Sequence, residues 1–290
     1  MPISPNRKSL TYHIAPLFIR PFTTPLLLLW LILSMTSVHA ESSIACRIKG
    51  PFQTVDPTYA NVARQTGGQM LSVLPSEIIQ TSSLMLGHLE WIDYYEASES
   101  THETFPVDAS IKQLSIHLNA QAPTTIEIHP PKADQYTNSL QAIRLSSLCN
   151  LRISDPSPGQ WSFTVQTSGH ASVSIKAKTP IQFRRYQYQK SVNGHHGPMM
   201  VTDKLAAGGQ TSVMQLTLNE PSLYQLPLVL VVQNRLRKML AEYPANSIDR
   251  EHYIAKFRIP TTESYAYIVG KDAQGYPFKR RYSASIQRKP

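Results

Sequence analysis

Apolar and polar residues alternate over much of the chain beyond residue 104. Leu114, Ile116 and Leu118 stand between polar neighbours, as do Ile126 and Ile128, then Trp161, Phe163 and Val165, then Val173 and Ile175. A period of two places alternate side chains on one face of an extended strand. Pro and Gly turns interrupt these runs roughly every 8–12 residues, which predicts an antiparallel sandwich over residues 104–183. Residues 184–209 hold Asn193-Gly194 and Gly208-Gly209 and read as a linker with a first strand. The alternation then resumes in Val213–Leu218, Leu226–Val232, Tyr253–Ile259 and Tyr265–Val269. Lys271-Asp-Ala-Gln-Gly275 reads as a hairpin turn into Tyr276–Ile286, so residues 210–290 form a second small sandwich. Leu236–Tyr243 is the exception, expected as a helical turn or two.

Residues 41–103 follow another pattern. Tyr59–Arg64 reads as a short helix ended by Gly67-Gly68, Gln69–Leu74 as a strand, and Ser76 as the cap of a second helix. Ile78, Ile79, Met85, Leu86, Leu89 and Ile92 give that helix a loose apolar stripe to about Tyr95. The acidic, Ser-containing stretch 96–103 is expected to be a linker. The fold class is therefore mainly β, two consecutive antiparallel β-sandwiches preceded by a short α/β segment.

The N-terminal forty residues belong to neither pattern. Arg7, Lys8 and Arg20 precede the apolar run Pro25–Met35, which is followed by Val38-His39-Ala40 with small residues at −3 and −1. A basic region, a short apolar run and such a site describe a secretory signal peptide over residues 1–40. An uncleaved anchor is the alternative. Localisation is accordingly expected to be secreted, periplasmic or extracellular.

Charge changes this picture little. The chain has 28 Lys and Arg against 19 Asp and Glu, a formal net charge of +9, and the excess is scattered. Its densest group is Lys271, Lys279, Arg280, Arg281, Arg288 and Lys289. That group suits weak contact with anionic lipid or polysaccharide, or simply solvated strand edges. Membrane contact is otherwise expected only through the signal peptide, and no nucleic-acid partner is implied. Cys46 and Cys149 are the two cysteines of the chain. In an exported protein an even count predicts a disulfide, with two buried free thiols as the alternative.

No nucleophile elbow, metal-binding helix, P-loop or dinucleotide fingerprint occurs in the sequence. His195-His196 would point to opposite faces of a strand, and His102-Glu103 lies in the acidic stretch. Asp108, Asp134 and Asp155 are spaced for turns and caps. No cofactor and no catalytic or metal-ligating residue is expected. Tyr94, Tyr95, Tyr186 and Tyr188 form a candidate strip for stacking on sugars, with Tyr186 and Tyr188 the favoured surface pair. None of the nine asparagines begins an N-x-Ser/Thr sequon.

Four motifs in order resemble the region that follows the von Willebrand factor A domain in hemicentins and related proteins. They are the helix–Gly-Gly–strand string Tyr59–Val73, the opening Phe105-Pro-Val-Asp108, the turn Pro156–Trp161 and the hairpin Gly270–Arg280. The resemblance implies a galactose-binding-like sandwich followed by an immunoglobulin-like one, in extracellular adhesion or matrix proteins. The A domain's Asp-x-Ser-x-Ser metal motif is absent from this sequence, so metal-dependent adhesion is not implied. The expected function is non-enzymatic contact with a protein or polysaccharide of the envelope or extracellular matrix. The alternatives are a glycan-binding accessory protein and a hydrolase with a dispersed site, for which the residues give no positive sign.

Overall fold

The computed structural model of the chain describes residues 44–52, 56–66, 68–85, 89–131, 139–190, 200–202, 208–282 and 285–286. Residues 1–40, expected as a signal peptide, the His195-His196 pair, Asp134, Arg288 and Lys289 fall outside them. So do the side chains of Tyr186 and Tyr188, although their backbone is described.

The first sandwich packs a four-stranded sheet on a five-stranded one, with every pairing antiparallel. The smaller sheet has the order β1 (Ile44–Ile48), β5 (Thr124–His129), β8 (Gly159–Thr167), β3 (Thr101–Val107). The larger runs β2 (Glu90–Ala97), β9 (Ala171–Lys178), β4 (Gln113–Ala120), β7 (Leu148–Ser154), β6 (Leu140–Arg144). The alternating apolar positions read from the sequence meet between the sheets. Leu114, Ile116 and Leu118 of β4 face Ile126, Ile128, Phe163 and Val165 in one core cluster. Trp161 is fully buried there, its ring beside Phe105 and its indole N–H donating to the Ser157 carbonyl at 2.9 Å. This ring is packing, with its polar edge satisfied.

Cys46 on β1 and Cys149 on β7 form a disulfide, their Cα atoms 6.5 Å apart. The bond ties one sheet to the other and closes a loop of 103 residues. In the chain-entropy account such a loop stabilises by about 4–5 kcal/mol.

The segment before residue 104 is not a separate α/β unit. It supplies β1, β2 and the start of β3 to the sandwich. The helix expected to run to Tyr95 ends within α2 (Ile78–Met85), and Glu90–Ala97 is a strand. Trp-Ile-Asp-Tyr-Tyr is rich in β-branched and aromatic residues, which fit a pleated surface. A bulge between Trp91 and Asp93 interrupts the period of two and disguises the strand. Residues 96–103 are correspondingly the end of β2, a short bend and the beginning of β3. The helix expected near Tyr59 is α1 (Pro57–Thr66), but Gln69–Leu74 joins no sheet. It crosses the outer face of the five-stranded sheet, held by side-chain bonds to its backbone.

The second sandwich is one antiparallel ladder folded over on itself. Its strands are β10 (Phe183–Lys190), β11 (Met200–Thr202), β12 (Thr211–Leu218), β13 (Tyr224–Asn234), β14 (Met239–Ser247), β15 (His252–Arg258), β16 (Ser264–Asp272) and β17 (Pro277–Arg281). In space they run β11-β10-β12-β15-β14-β13-β16-β17. β14 pairs with β13 along residues 239–245 and with β15 at Asn246 and Ser247, so the ladder turns its corner there. Met214, Leu216, Leu230, Phe257, Ile268 and Phe278 from both halves share one core cluster. The helical turns expected at Leu236–Tyr243 are replaced by a turn and the start of β14, whose backbone pairs with β13 from Met239 onward. The region expected as a linker with a first strand holds β10 from residue 184 onward, paired with β12 through Tyr186↔Leu216 and Tyr188↔Met214, and β11. The hairpin turn forms as read: Asp272 N–H donates to Tyr276 O at 2.8 Å, and Gly275 takes a φ of +89°.

Candidate functional site

On β4 and β9, residues facing away from the core are polar. Ser115, His117 and Asn119 alternate with the core residues of β4, and Ser172, Ser174 and Lys176 with those of β9. β2 adds Trp91 and Tyr94, and β7 adds Asn150. Ser115, His117, Asn119, Asn150 and Ser174 are nevertheless buried, because residues 68–77 lie across this face like a strap. Asn119 donates to the Met70 carbonyl at 3.2 Å, and Lys176 Nζ to Gln69 Oε1 at 3.0 Å. Ser147 Oγ donates to the Ser72 carbonyl. Leu71 and Val73 pack on Leu145 and Leu148. Glu77 fastens the far end: its carboxylate accepts from Ser146 N–H at 2.7 Å, Ser146 Oγ at 2.8 Å and Leu74 N–H at 2.9 Å.

Polar groups beneath the strap are incompletely paired. Ser115 Oγ donates to Asn150 Oδ1 at 3.0 Å and lies 3.1 Å from His117 Nε2. His117 Nδ1, Asn119 Oδ1 and Asn150 Nδ2 are buried without a hydrogen-bond partner. Burial, reinforced by the charges of Lys176 and Arg152, pushes the His117 pKa down to about 3, so the imidazole is neutral at ordinary pH.

At the edge of this face a cavity of about 60 Å³ opens between the strap and the sheet. Ala60 and Ala63 of α1 and Gly68 of the strap line one side, and Trp91, Tyr94 and Arg281 the sheet side. Arg281 is only 4% exposed. Its guanidinium stacks on Tyr265 at 4.0 Å, Trp91 at 5.1 Å and Tyr94 at 5.5 Å. It has no acidic partner among the described residues, and its Nε is buried without a hydrogen bond. Lys176 lies 4.2 Å from the centre of the Trp91 ring. Burial first, and the charge of Arg281 second, lower the Lys176 pKa to about 8. Two cations thus share one indole with no compensating anion among the described residues.

Lys279 and Arg280 are consumed in the junction between the sandwiches. Asp93, 1% exposed, accepts from Lys279 Nζ at 2.6 Å and Tyr267 Oη at 3.0 Å, with Arg237 at 3.4 Å. Arg237 also pairs with Glu103 and lies over the Tyr95 ring. Burial pushes the Asp93 carboxyl up, but Lys279 and Arg237 outweigh it and hold the group below the usual carboxylate range. A second pair, Arg280 with Asp108 at 2.8 Å, is completely buried. Arg280 further donates to Ile181 O at 3.0 Å and Thr179 Oγ1 at 3.1 Å. Asp272 Oδ2 accepts from Ala109 N–H at 2.7 Å, while its Oδ1 organises the hairpin turn.

Several expectations change accordingly. Lys279, Arg280 and Arg281 are internal rather than a solvated patch, whereas Lys271 is exposed. Asp108 holds a buried charge in addition to capping Ser110. Tyr95 belongs to the core, 3% exposed and donating to the Thr104 carbonyl at 3.0 Å, whereas Tyr94 lines the cavity. Trp91, Lys176 and Arg281 were not legible as a group, since they come from three strands, two of them in different sandwiches. No cluster of three or more His, Cys, Asp or Glu suited to a metal ion occurs among the described residues. Among the same residues no helix is long and apolar enough to cross a membrane.

A solved structure of a Bacillus licheniformis lipase, BlEst2 in propeptide form, aligns with 72% of this chain and 45% of its own, at 10% identity and a TM-score of 0.32. No relationship follows at that level. Mouse Hemicentin-2 is 25% identical over 247 residues, 79% of this chain, and mouse Hemicentin-1 is 26% identical over 222 residues, 72% of it. The chain spans 4% of the length of either relative. A family profile described as the hemicentin galactose-binding domain-like domain matches residues 89–180, from the start of β2 to just past β9. The chain is thus similar to hemicentins, most specifically across the part of the first sandwich that carries the polar sheet face.

Proposed function

We propose that the chain is an exported interaction module that contacts a protein or polysaccharide of the envelope or matrix through its sandwich surfaces, without chemistry of its own. The observation that carries this reading is a group of exposed apolar side chains where β13 turns into β14. Leu236 is 87% exposed, Met239 53% and Leu240 42%. The flanking turn residues Arg235 and Arg237 pair with Glu96 and Glu103 of the first sandwich, which fixes this apolar tip to a rigid base. Grouped exposed apolar side chains suit a contact surface. The disulfide suits an oxidising compartment, and the similarity to hemicentins supports an extracellular setting. The second sandwich is proposed to be immunoglobulin-like on the same resemblance.

The test uses the whole chain expressed with its N-terminal segment. Recovery outside the cytoplasm with a new N-terminus near Glu41 is expected, and retention of Leu27–Leu33 means an anchor instead. A photo-crosslinker at Met239 should then capture an envelope or matrix component, and Leu236→Glu with Leu240→Glu should abolish capture. Unchanged capture in that variant removes the surface from the proposal. A glycan-binding role is the second reading, favoured by Trp91, Tyr94 and Arg281 around the cavity.

A further inference from the structure

The cavity under the strap has properties that point to a particular chemistry. A guanidinium removed from water and left without an acid is costly, because burying a charge is tolerated only when it is paired and hydrogen-bonded. Three aromatic faces offset part of that cost for Arg281 but leave its buried Nε donor without a partner. Lys176 touches two residues of the cavity wall, lying over the Trp91 ring and donating to Gln69. Around them Asn119, Gln121, His170, Ser172 and Ser174 line the same cavity. These side chains hydrogen-bond hydroxyl groups readily.

We infer that this cavity binds the carboxylate of an acidic sugar, with Arg281 receiving the carboxylate and Ser172, Ser174 and Asn119 bonding the ring hydroxyls. The inference rests on the glycan-binding reading and not on the β13–β14 surface. A planar guanidinium matches a carboxylate in a paired geometry, which a neutral sugar cannot exploit. The volume admits the acidic end of one residue, and the rest of a saccharide extends outward past Gln121 and His170. A pre-stacked arginine also loses little conformational freedom on binding.

Isothermal titration of the disulfide-intact mature protein with sodium glucuronate, glucose and sodium sulfate tests this. Saturable binding of glucuronate with at least tenfold weaker binding of glucose is expected, together with falling affinity as salt rises. Arg281→Gln should lose glucuronate binding at least tenfold. Since that change also disturbs the ring stack, Ser172→Leu serves as the second variant, filling the cavity while leaving Arg281 in place. It should lose binding equally and keep the wild-type circular dichroism. Undiminished binding in Ser172→Leu overturns the site. Equal binding of glucose overturns the anionic specificity while leaving glycan binding standing. Sulfate binding with glucuronate silent overturns the saccharide assignment, and no binding of any of the three overturns the inference altogether.

Discussion

His117 sits on β4 among Ser115, Asn150 and Lys176, and its neutral form is the one this site accepts. An unfolded chain takes up a proton at histidine near pH 6.5, whereas the folded one resists until about pH 3. Between those values the unfolded state binds more protons, so stability falls as pH is lowered and rises as it is raised. The effect approaches 1.4 kcal/mol per pH unit for one such group, hence on the order of 2 kcal/mol between pH 6.5 and 4.5. Asp93 adds a separate loss at lower pH. Its carboxyl is held below the usual range, so its contribution is present above about pH 4 and disappears as pH falls through the folded value. Urea unfolding of His117→Gln should therefore show a flatter stability profile from pH 6.5 to 4.5 while keeping the steeper decline below pH 4. An unchanged slope in the upper window would assign it to other groups.

At the scale of elements, the strap is the part whose conformation depends most on its neighbours. α1 has its apolar residues Tyr59 and Val62 exposed at 69% and 51%, so burial of an amphipathic face does not hold it. The segment is instead held at points: Met70 and Gln69 on the sheet, Leu71 and Val73 on Leu148, and Glu77 on the loop at Ser146. Glu77→Ala removes three charge-assisted hydrogen bonds at once. A local cost of about 1–3 kcal/mol is expected, read as faster amide exchange over residues 68–85. Amides of β4 and β9 in the core should keep their protection; if they also exchange faster, the strap and the sheet unfold as one unit. Such points of attachment are invisible to periodicity. Gln69–Leu74 has the composition of a strand, and only the absence of a free sheet edge beside it makes it a crossing segment. For Glu90–Ala97 the error ran the other way, because the bulge at Trp91 set Leu89 and Ile92 three residues apart, as in a helix.

The whole molecule is joined by buried charge. Asp108 and Arg280 are both inaccessible and lie on different sandwiches. Removing one partner strands the other, which typically costs about 3–5 kcal/mol, whereas replacing both by apolar residues is often neutral. Asp108→Ala should therefore lower the urea midpoint strongly and separate the unfolding of the two sandwiches. Asp108→Leu with Arg280→Met should recover most of the loss and restore coincident transitions by tryptophan fluorescence and far-ultraviolet circular dichroism. If the double variant is as unstable as the single one, the pair's hydrogen bonds to Thr179 and Ile181 carry the junction instead of its charge.

Alternation by itself determined the sandwiches, since Leu114, Ile116, Leu118, Trp161, Phe163 and Val165 have one apolar face each and that face must be buried wherever the chain goes. It likewise determined β12, β13, β15, β16 and β17, though not β14, and the turn at Gly275, a position needing positive φ. The count of two cysteines pointed to the bond that joins the two facing sheets. Only the tertiary structure decided the rest. A run such as Lys279-Arg280-Arg281 reads as solvated because charge normally stays in water. Here Asp93 and Asp108, nearly 190 residues away in one case, provide the partners that bring Lys279 and Arg280 inside, and three aromatic rings from β2 and β16 bring in Arg281. Partners that distant in sequence leave no local signal, which is why the cavity beside Arg281 emerges only once the strands are assembled.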